Sequence, residues 1–180
     1  IQLPPKADDA HKFVREAVRS YPELYFARFV LLGEGATEEV VLPKLAAAMG
    51  FPIDRSFVAI VPLGGRHVNH LWRLLTDLDI PHATLLDLDW GRSGGGWGRI
   101  KTACEQLLAS GFYPAQVFGS KLLPQGPRAN FASFDQWAAT NAAGIEEWTK
   151  WLRSLGIFFS YPLDLDFSMF NAFPVAYQAL

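Results

Sequence analysis

The sequence predicts an α/β fold in which a parallel sheet is flanked by helices. Strand-like and helix-like segments alternate along the first half of the chain, and the strand-like segments are apolar throughout, as in sheets that are covered on both faces. Half of the 180 residues are hydrophobic and the formal net charge is -2. This composition is that of a globular domain, and it excludes a disordered chain or a polycation.

The first predicted strand spans Arg28–Leu32 and runs into a turn at Gly33. A helix is predicted over Glu38–Met49, because apolar residues recur there at helical spacing and Thr37 precedes it as a good N-cap residue. We expect residues 1–27, which come before this strand, to form a helical lead-in.

The second strand is predicted over Ser56–Val61 and the third over Ala83–Leu86, with a helix from Val68 to Leu78 between them. Right-handed crossovers place the loops that follow these strands at one edge of the sheet, and ligands bind at that edge in open α/β sheets. We therefore expect the functional residues at the carboxyl ends of the strands.

The second half of the chain departs from this alternation. Five glycines within Gly91–Gly98 predict a mobile loop, and a helix is predicted over Ile100–Ala109. A helical insertion is expected at about residues 111–155, where a stretch rich in proline and glycine leads into tryptophan-rich helical segments. The fourth strand is predicted over Gly156–Tyr161.

Three of the predicted strands end in carboxylates. Residues two apart in a strand face the same side, so Asp87 and Asp89 point at one place if strand geometry continues that far. Carboxylates that gather at one edge need a cation among them, and oxygen ligands without histidine or cysteine favour Mg²⁺ or Mn²⁺ over zinc. Two such ions, about 3.5–4 Å apart, are a familiar arrangement for phosphodiester hydrolysis. The candidate metal ligands are Glu34, Glu38, Asp87, Asp89, Asp164 and Asp166.

Ordinary structural roles remain open for some of these acids. An acidic pair after a strand is more often a helix cap or a solvated loop than a metal site, and either Asp164 or Asp166 could cap the short helix that follows. The glycines around Glu34 do not form a dinucleotide-binding loop, because Glu38 stands where the third glycine is required.

A glutamate after the first strand and Asp-x-Asp after the third resemble the Toprim domain, which is shared by topoisomerases, bacterial primases and certain nucleases. The string Glu34–Glu38 with its continuation to Gly50, and Val61–Gly65 after the second strand, are similar to the OLD (overcoming lysogenization defect) family in particular. The resemblance covers about residues 28–170. It implies a Toprim catalytic domain over residues 28–180, with the helical insertion typical of that family's C-terminal region.

The resemblance also implies a function. In that family the C-terminal half is a metal-dependent nuclease, and an ABC-type ATPase lies N-terminal to it. The chain is therefore expected to be a DNA endonuclease that uses Mg²⁺ or Mn²⁺, two per site, with ATP bound only by an ATPase domain that this sequence does not contain. A lysine beyond the last acidic motif is also implied, yet no lysine follows Lys150. The catalytic, metal-binding residues that the resemblance implies are Glu34, Glu38, Asp87 and Asp89, with Asp164 or Asp166 as a further ligand.

Basic residues are concentrated beyond the third strand. Between Trp90 and Arg128 there are five basic side chains against one acidic side chain, a local charge of +4. We expect Arg92, Arg99 and Lys101 to bind DNA phosphates, since the two arginines flank the glycine-rich loop. The alternative is that they are ordinary surface residues.

The remaining features of the sequence concern the cellular location and possible partners of the protein. The single cysteine, Cys104, excludes an internal disulfide and favours a cytoplasmic location, and no apolar run is long enough for a membrane helix. Aromatic residues make up 14% of the chain and leave room for a partner surface, such as that of a homodimer. Two other functions remain open: a Toprim module that binds DNA or partners without catalysis, and a transferase that uses Asp-x-Asp with Mn²⁺ and a nucleotide.

Overall fold

The computed structural model describes residues 15, 19–51, 53–64, 68–119 and 142–175. Four strands form one sheet in this part of the chain, with β1, β2 and β3 in the first half and β4 near the end. Along the sheet their order is β2-β1-β3-β4. The predicted α/β class, a parallel sheet flanked by helices, is confirmed. The strands are β1 (Phe29–Gly33), β2 (Val58–Pro62), β3 (His82–Asp87) and β4 (Ile157–Ser160).

Helices connect and follow these strands. Two short 3₁₀ helices also occur, at Pro22–Tyr25 and Ile53–Ser56. None of the described helices is long and apolar enough to cross a membrane. The α-helices are α1 (Ala36–Ala48), α2 (Val68–Asp77), α3 (Trp97–Ser110), α4 (Pro114–Phe118), α5 (Ala142–Ser154) and α6 (Leu165–Ala172).

The chain divides into two compact units, residues 1–84 and 85–180. In the first unit β1 and β2 pair in parallel, from Phe29 opposite Val58 to Gly33 opposite Pro62. The centres of both strands are buried, and α1 packs against both.

Helix α1 begins two residues earlier than predicted. Its N-cap residue is Gly35, and Thr37 lies inside the first turn rather than in the capping position. Of the predicted lead-in, the described residues include the 3₁₀ helix at Pro22–Tyr25, and residues 1–14 and 16–18 lie outside the described part.

In the second unit α5 packs against β4, and the core contains Leu152 and Ile157. Phe118 at the end of α4 meets Trp148 of α5 edge to face, with ring centroids 6.3 Å apart. Both helices fall within the expected insertion at 111–155, of which residues 120–141 lie outside the described part. Lys121 and Arg128 of the basic stretch are therefore not described.

Candidate functional site

The acids after β1 are fixed by the start of α1. Glu38 is almost fully buried, at 2% exposure, and its Oε2 accepts a hydrogen bond from the backbone N–H of Gly35 at 2.9 Å. A Cβ on Gly33 would lie 2.5 Å from Glu38 Cβ, so the close approach of this side chain to β1 requires glycine. Glu34 lies in the turn between β1 and α1 and is half-buried. The string Gly-Glu-Gly thus places one acid in the turn and a second acid against the strand.

Asp87 is the last residue of β3 and lies beside the end of β4. The Oγ of Ser160 donates a hydrogen bond to Asp87 Oδ1 at 2.9 Å, and Ser160 is buried. Ser160 was not among the residues predicted from the sequence. The available signal was a small polar residue at the end of an otherwise apolar strand, where it meets a neighbouring strand that ends in an acid.

Asp89 does not continue the geometry of β3. The strand ends at Asp87, and Asp89 has a left-handed backbone with φ of 52°. Its N–H donates to the carbonyl oxygen of Leu163, in the turn that follows β4, at 2.8 Å. Asp87 and Asp89 were expected to point at one place only if strand geometry continued as far as Asp89. It does not continue that far.

Two arginines hold the Asp89 carboxylate. Arg92 Nη1 donates to Oδ1 at 2.7 Å, Arg99 Nε donates to Oδ2 at 3.1 Å, and Arg99 Nη2 also contacts Oδ2. Arg92 reaches further, because its Nη2 lies 3.1 Å from Asp164 Oδ2. Two guanidinium groups and two carboxylates make this a neutral ion-pair cluster, which we call the Asp89 cluster (Asp89, Arg92, Arg99 and Asp164).

The Asp89 cluster changes the pKa of Asp89. Burial alone would raise the pKa of Asp89, but hydrogen bonds and charge from Arg99 and then Arg92 outweigh it and lower the pKa below its usual value. The carboxylate of Asp89 is mostly covered, with 13% of the side chain exposed, whereas Arg92 is 56% exposed. The Arg92 side chain is therefore largely exposed, whereas the acid that it holds is mostly covered.

The predicted glycine loop folds closely around Asp89. Arg92 N–H donates to the carbonyl oxygen of Asp89, and Gly96 N–H donates to that of Leu88 at 2.7 Å. A Cβ on Gly95 would lie only 1.8 Å from the Asp89 carbonyl oxygen, so glycine is required there. The glycines thus allow a close backbone packing that brings Arg92 and Arg99 to the same carboxylate.

Asp164 caps a helix, one of the two roles left open for it. Its Oδ1 accepts a hydrogen bond from Phe167 N–H at 2.7 Å, which makes it the N-cap residue of α6. Asp166 lies exposed in the first turn of the same helix. Lys101, the third residue expected at DNA, lies half-buried in α3.

Four of the candidate metal ligands have described hydrogen bonds or ion pairs. Asp87 and Glu38 accept hydrogen bonds from neutral donors, whereas Asp89 and Asp164 are paired with guanidinium groups. The oxygen-only donors suit Mg²⁺ or Mn²⁺ in chemistry. Across residues 15, 19–51, 53–64, 68–119 and 142–175, however, no three histidine, cysteine or acidic side chains are grouped so that they could hold a metal ion.

Cys104 is buried in α3. Burial, with a smaller contribution from the charge of Glu105, raises the pKa of its thiol to about 12. The thiol is therefore not a nucleophile at neutral pH.

Comparison with known proteins agrees with the fold. The C-terminal region of the OLD protein of Xanthomonas campestris pv. campestris, in a structure phased with platinum, superposes with a TM-score of 0.56 at 19% identity, over 87% of this chain and 61% of that chain. A second structure of the region, phased with mercury, gives 0.55 at 19% identity, over 86% and 62%. The chain thus spans less than two thirds of either neighbour. No curated protein matches.

A family model matches part of the chain at the level of sequence. The model for the overcoming lysogenization defect protein-like TOPRIM domain matches residues 25–89, which contain β1, β2, β3 and four of the candidate acids. The resemblance inferred from the motifs is confirmed over residues 25–89, which match the OLD-like Toprim domain family.

Proposed function

We propose that this chain is a metal-dependent nuclease domain that cleaves DNA by hydrolysing phosphodiester bonds, with Mg²⁺ or Mn²⁺, two per site, as cofactor. The observation that carries the proposal is the position of the acids. Glu34 and Glu38 follow β1 and Asp87 ends β3, within the residues that match a Toprim family model. The family match supports a nuclease-type or metal-binding domain, and the metal and the reaction are our proposal.

The ligands that we assign first are Glu34, Glu38 and Asp87. Glu38 and Asp87 are oriented by a backbone N–H and by a serine hydroxyl, and neither of these donors neutralises the carboxylate. Bound divalent ions would lower the pKa of an attacking water and offset charge on the leaving 3′ oxygen. Asp89, Asp164 and Asp166 stay predicted ligands, and Asp89 and Asp164 are held by arginine in this structure.

Binding of DNA is assigned to Arg92, Arg99 and Lys101. The Arg92 side chain is 56% exposed, and an arginine guanidinium can donate hydrogen bonds to a phosphate. The structural neighbours are C-terminal regions of a larger OLD protein. We propose accordingly that an N-terminal ABC-type ATPase, which would bind ATP, acts with this domain in the whole protein, and that the whole protein forms a homodimer.

The test is cleavage of supercoiled plasmid in Mg²⁺ or Mn²⁺. We expect nicked or linear product with the unaltered chain and its loss with Asp87→Asn or Glu34→Gln, by about 10²-fold or more, because each removes a metal-ligand charge. Asp77→Asn is the matched control, since Asp77 is an exposed carboxylate at the end of α2. Plasmid that stays supercoiled with folded protein in both metals would overturn the proposal.

A second candidate is a Toprim module that binds DNA without cutting it. The neutral Asp89 cluster favours it, because two of the six acids are already paired with cations. That function predicts DNA binding in EDTA, no cleavage in either metal, and no effect of Asp87→Asn on binding.

A further inference from the structure

We propose that the first unit has a docking site for a segment of another protein, in which an apolar side chain stands next to a lysine or arginine. The site is a cavity of about 400 Å³ that is lined by residues of α1, of both 3₁₀ helices and of β2. The proposal does not rest on the nuclease, because no metal ligand and no cleavage step enters it.

Two of the phenylalanines that line this cavity are exposed. Phe26 is 77% exposed and Phe57 is 56% exposed, and Pro43 and Ile60 add further apolar surface to the lining. Exposed apolar surface at a concavity is typical of sites that bind other proteins, and aromatic residues are enriched in protein interfaces. A small-molecule site encloses most of its ligand, whereas these aromatic walls are open to solvent. We therefore assign a protein segment as the occupant.

The backbone of Phe57 supports a role in binding. Its φ of 55° lies in the left-handed region, which a bulky residue rarely adopts because it costs free energy. The turn is held by a hydrogen bond from Arg28 N–H to the Phe57 carbonyl oxygen at 2.8 Å, and Arg28 Cζ lies 5.5 Å from the centroid of the ring. Burial of the ring would offset the cost of this backbone, yet more than half of the side chain is exposed. Strain of this kind is concentrated at functional sites, so we assign the ring to binding rather than to packing.

The charge of the cavity determines the chemistry of the partner. Glu23 and Glu39 line it and are exposed, and none of the described residues that line it is a lysine or arginine. Burial is the largest cause that raises the pKa of Tyr21, and the charges of Glu39 and then Glu23 raise it further. The two acids therefore lie close enough to act on one group. A concave surface with two carboxylates attracts a cation, which we assign to a lysine or arginine of the partner.

A pair of short peptides tests the site. The probe is acetyl-Lys-Trp-Lys-amide, and the matched control is acetyl-Glu-Trp-Glu-amide, which has the same aromatic group and the opposite charge. NMR titration of the isotopically labelled chain measures both affinities and shows which backbone amides respond. We expect the lysine peptide to bind about 10-fold more tightly and to shift the signals of Phe26 and Phe57, since the peptides differ by up to two ion pairs. Absence of binding, equal affinities, or shifts elsewhere alone would overturn the proposal.

Removal of the two carboxylates tests the assigned charge. Glu23→Gln combined with Glu39→Gln is expected to reduce the preference for the lysine peptide to less than about 2-fold. Asp77→Asn combined with Glu105→Gln is the matched control, because it removes two exposed carboxylates elsewhere and should retain the preference. A preference that survives the loss of Glu23 and Glu39 would contradict the assignment.

Phe57→Asn separates binding from packing. Asparagine adopts the left-handed region readily, so the turn before β2 is retained while the ring is lost. We expect the affinity for the lysine peptide to fall about 10-fold while the urea midpoint stays the same or rises, because an exposed ring on a strained backbone adds little stability. A lower urea midpoint would assign the ring to packing and overturn the proposal. Sedimentation of the unaltered chain as a dimer that Phe57→Asn dissociates would also overturn it, because the occupant would then be a second copy.

Discussion

Two acids of this protein, Glu38 in the first unit and Asp89 in the second, are both packed against a glycine and yet have different partners. Glu38 lies against Gly33 and accepts a backbone N–H, a neutral donor. Asp89 lies against Gly95 and is paired with two arginines. In both regions a glycine permits the approach, and the donors differ in charge, since a backbone N–H is neutral and a guanidinium is positive.

The largest effect on the packing around these two acids is expected from Gly95→Ala. The new Cβ would lie 1.8 Å from a backbone carbonyl oxygen, which cannot move without unfolding the turn that carries Asp89. We expect a loss of about 3 kcal/mol in the free energy of unfolding, the upper part of the range for overpacking. Urea denaturation measures this, and the matched control is Gly98→Ala in α3. A Cβ at Gly98 meets nothing within 4 Å, and alanine there should stabilise the helix by about 0.5 kcal/mol.

Cys104 reports separately on the second unit. It is the single cysteine of the chain, buried in α3, and burial raises the pKa of its thiol to about 12, so a thiol reagent modifies it only when that helix opens. Cys104 should be labelled faster in the Gly95→Ala variant than in the unaltered chain at pH 7. Equal labelling rates, with equal urea midpoints, would show that the turn around Asp89 is not packed as described.

Gly33→Ala makes the corresponding change in the first unit and should have a smaller effect. Its Cβ would lie 2.5 Å from the Cβ of Glu38, a side-chain atom that can move if α1 shifts slightly. We expect a loss of about 2 kcal/mol in urea unfolding, since overpacking that can relax costs less. A loss larger than that of Gly95→Ala would reverse the ranking of the two regions and show that the start of α1 is the more rigid of the two.

The same two regions show which features of the structure could be predicted from the sequence. Apolar runs predicted all four strands, with boundaries that differ by at most two residues from those of the structure, and the turn chemistry placed acids at the ends of β1 and β3. These features depend on neighbours along the chain. The left-handed backbone of Asp89 was not predicted, and neither was its pairing with Arg99, ten residues away, because both depend on the path of the glycine loop.

For Asp164, one contact could be foreseen from the sequence and another could not. Helix capping was one of the roles that its sequence position left open, and the cap on Phe167 confirms it, yet the contact with Arg92 depends on how the turn after β4 meets that loop. Spacing in the sequence therefore placed acids after the strands, and the three-dimensional path of the loop brought Arg92 to both Asp89 and Asp164.

The smallest effect that we expect is a dependence on pH that belongs to Asp89 alone. Its pKa in the folded protein is lowered because the arginines outweigh the effect of burial, so ionisation of this carboxyl favours the folded state. That contribution is complete above the unfolded pKa of about 3.9 and is lost as the pH falls through the lower, folded value. The difference in urea midpoint between the unaltered chain and Asp89→Asn should be constant from about pH 7 to pH 5 and should narrow below about pH 4. A difference that stays constant down to pH 3 would mean that the arginines do not hold Asp89 in solution, and the contrast with Glu38 would then disappear.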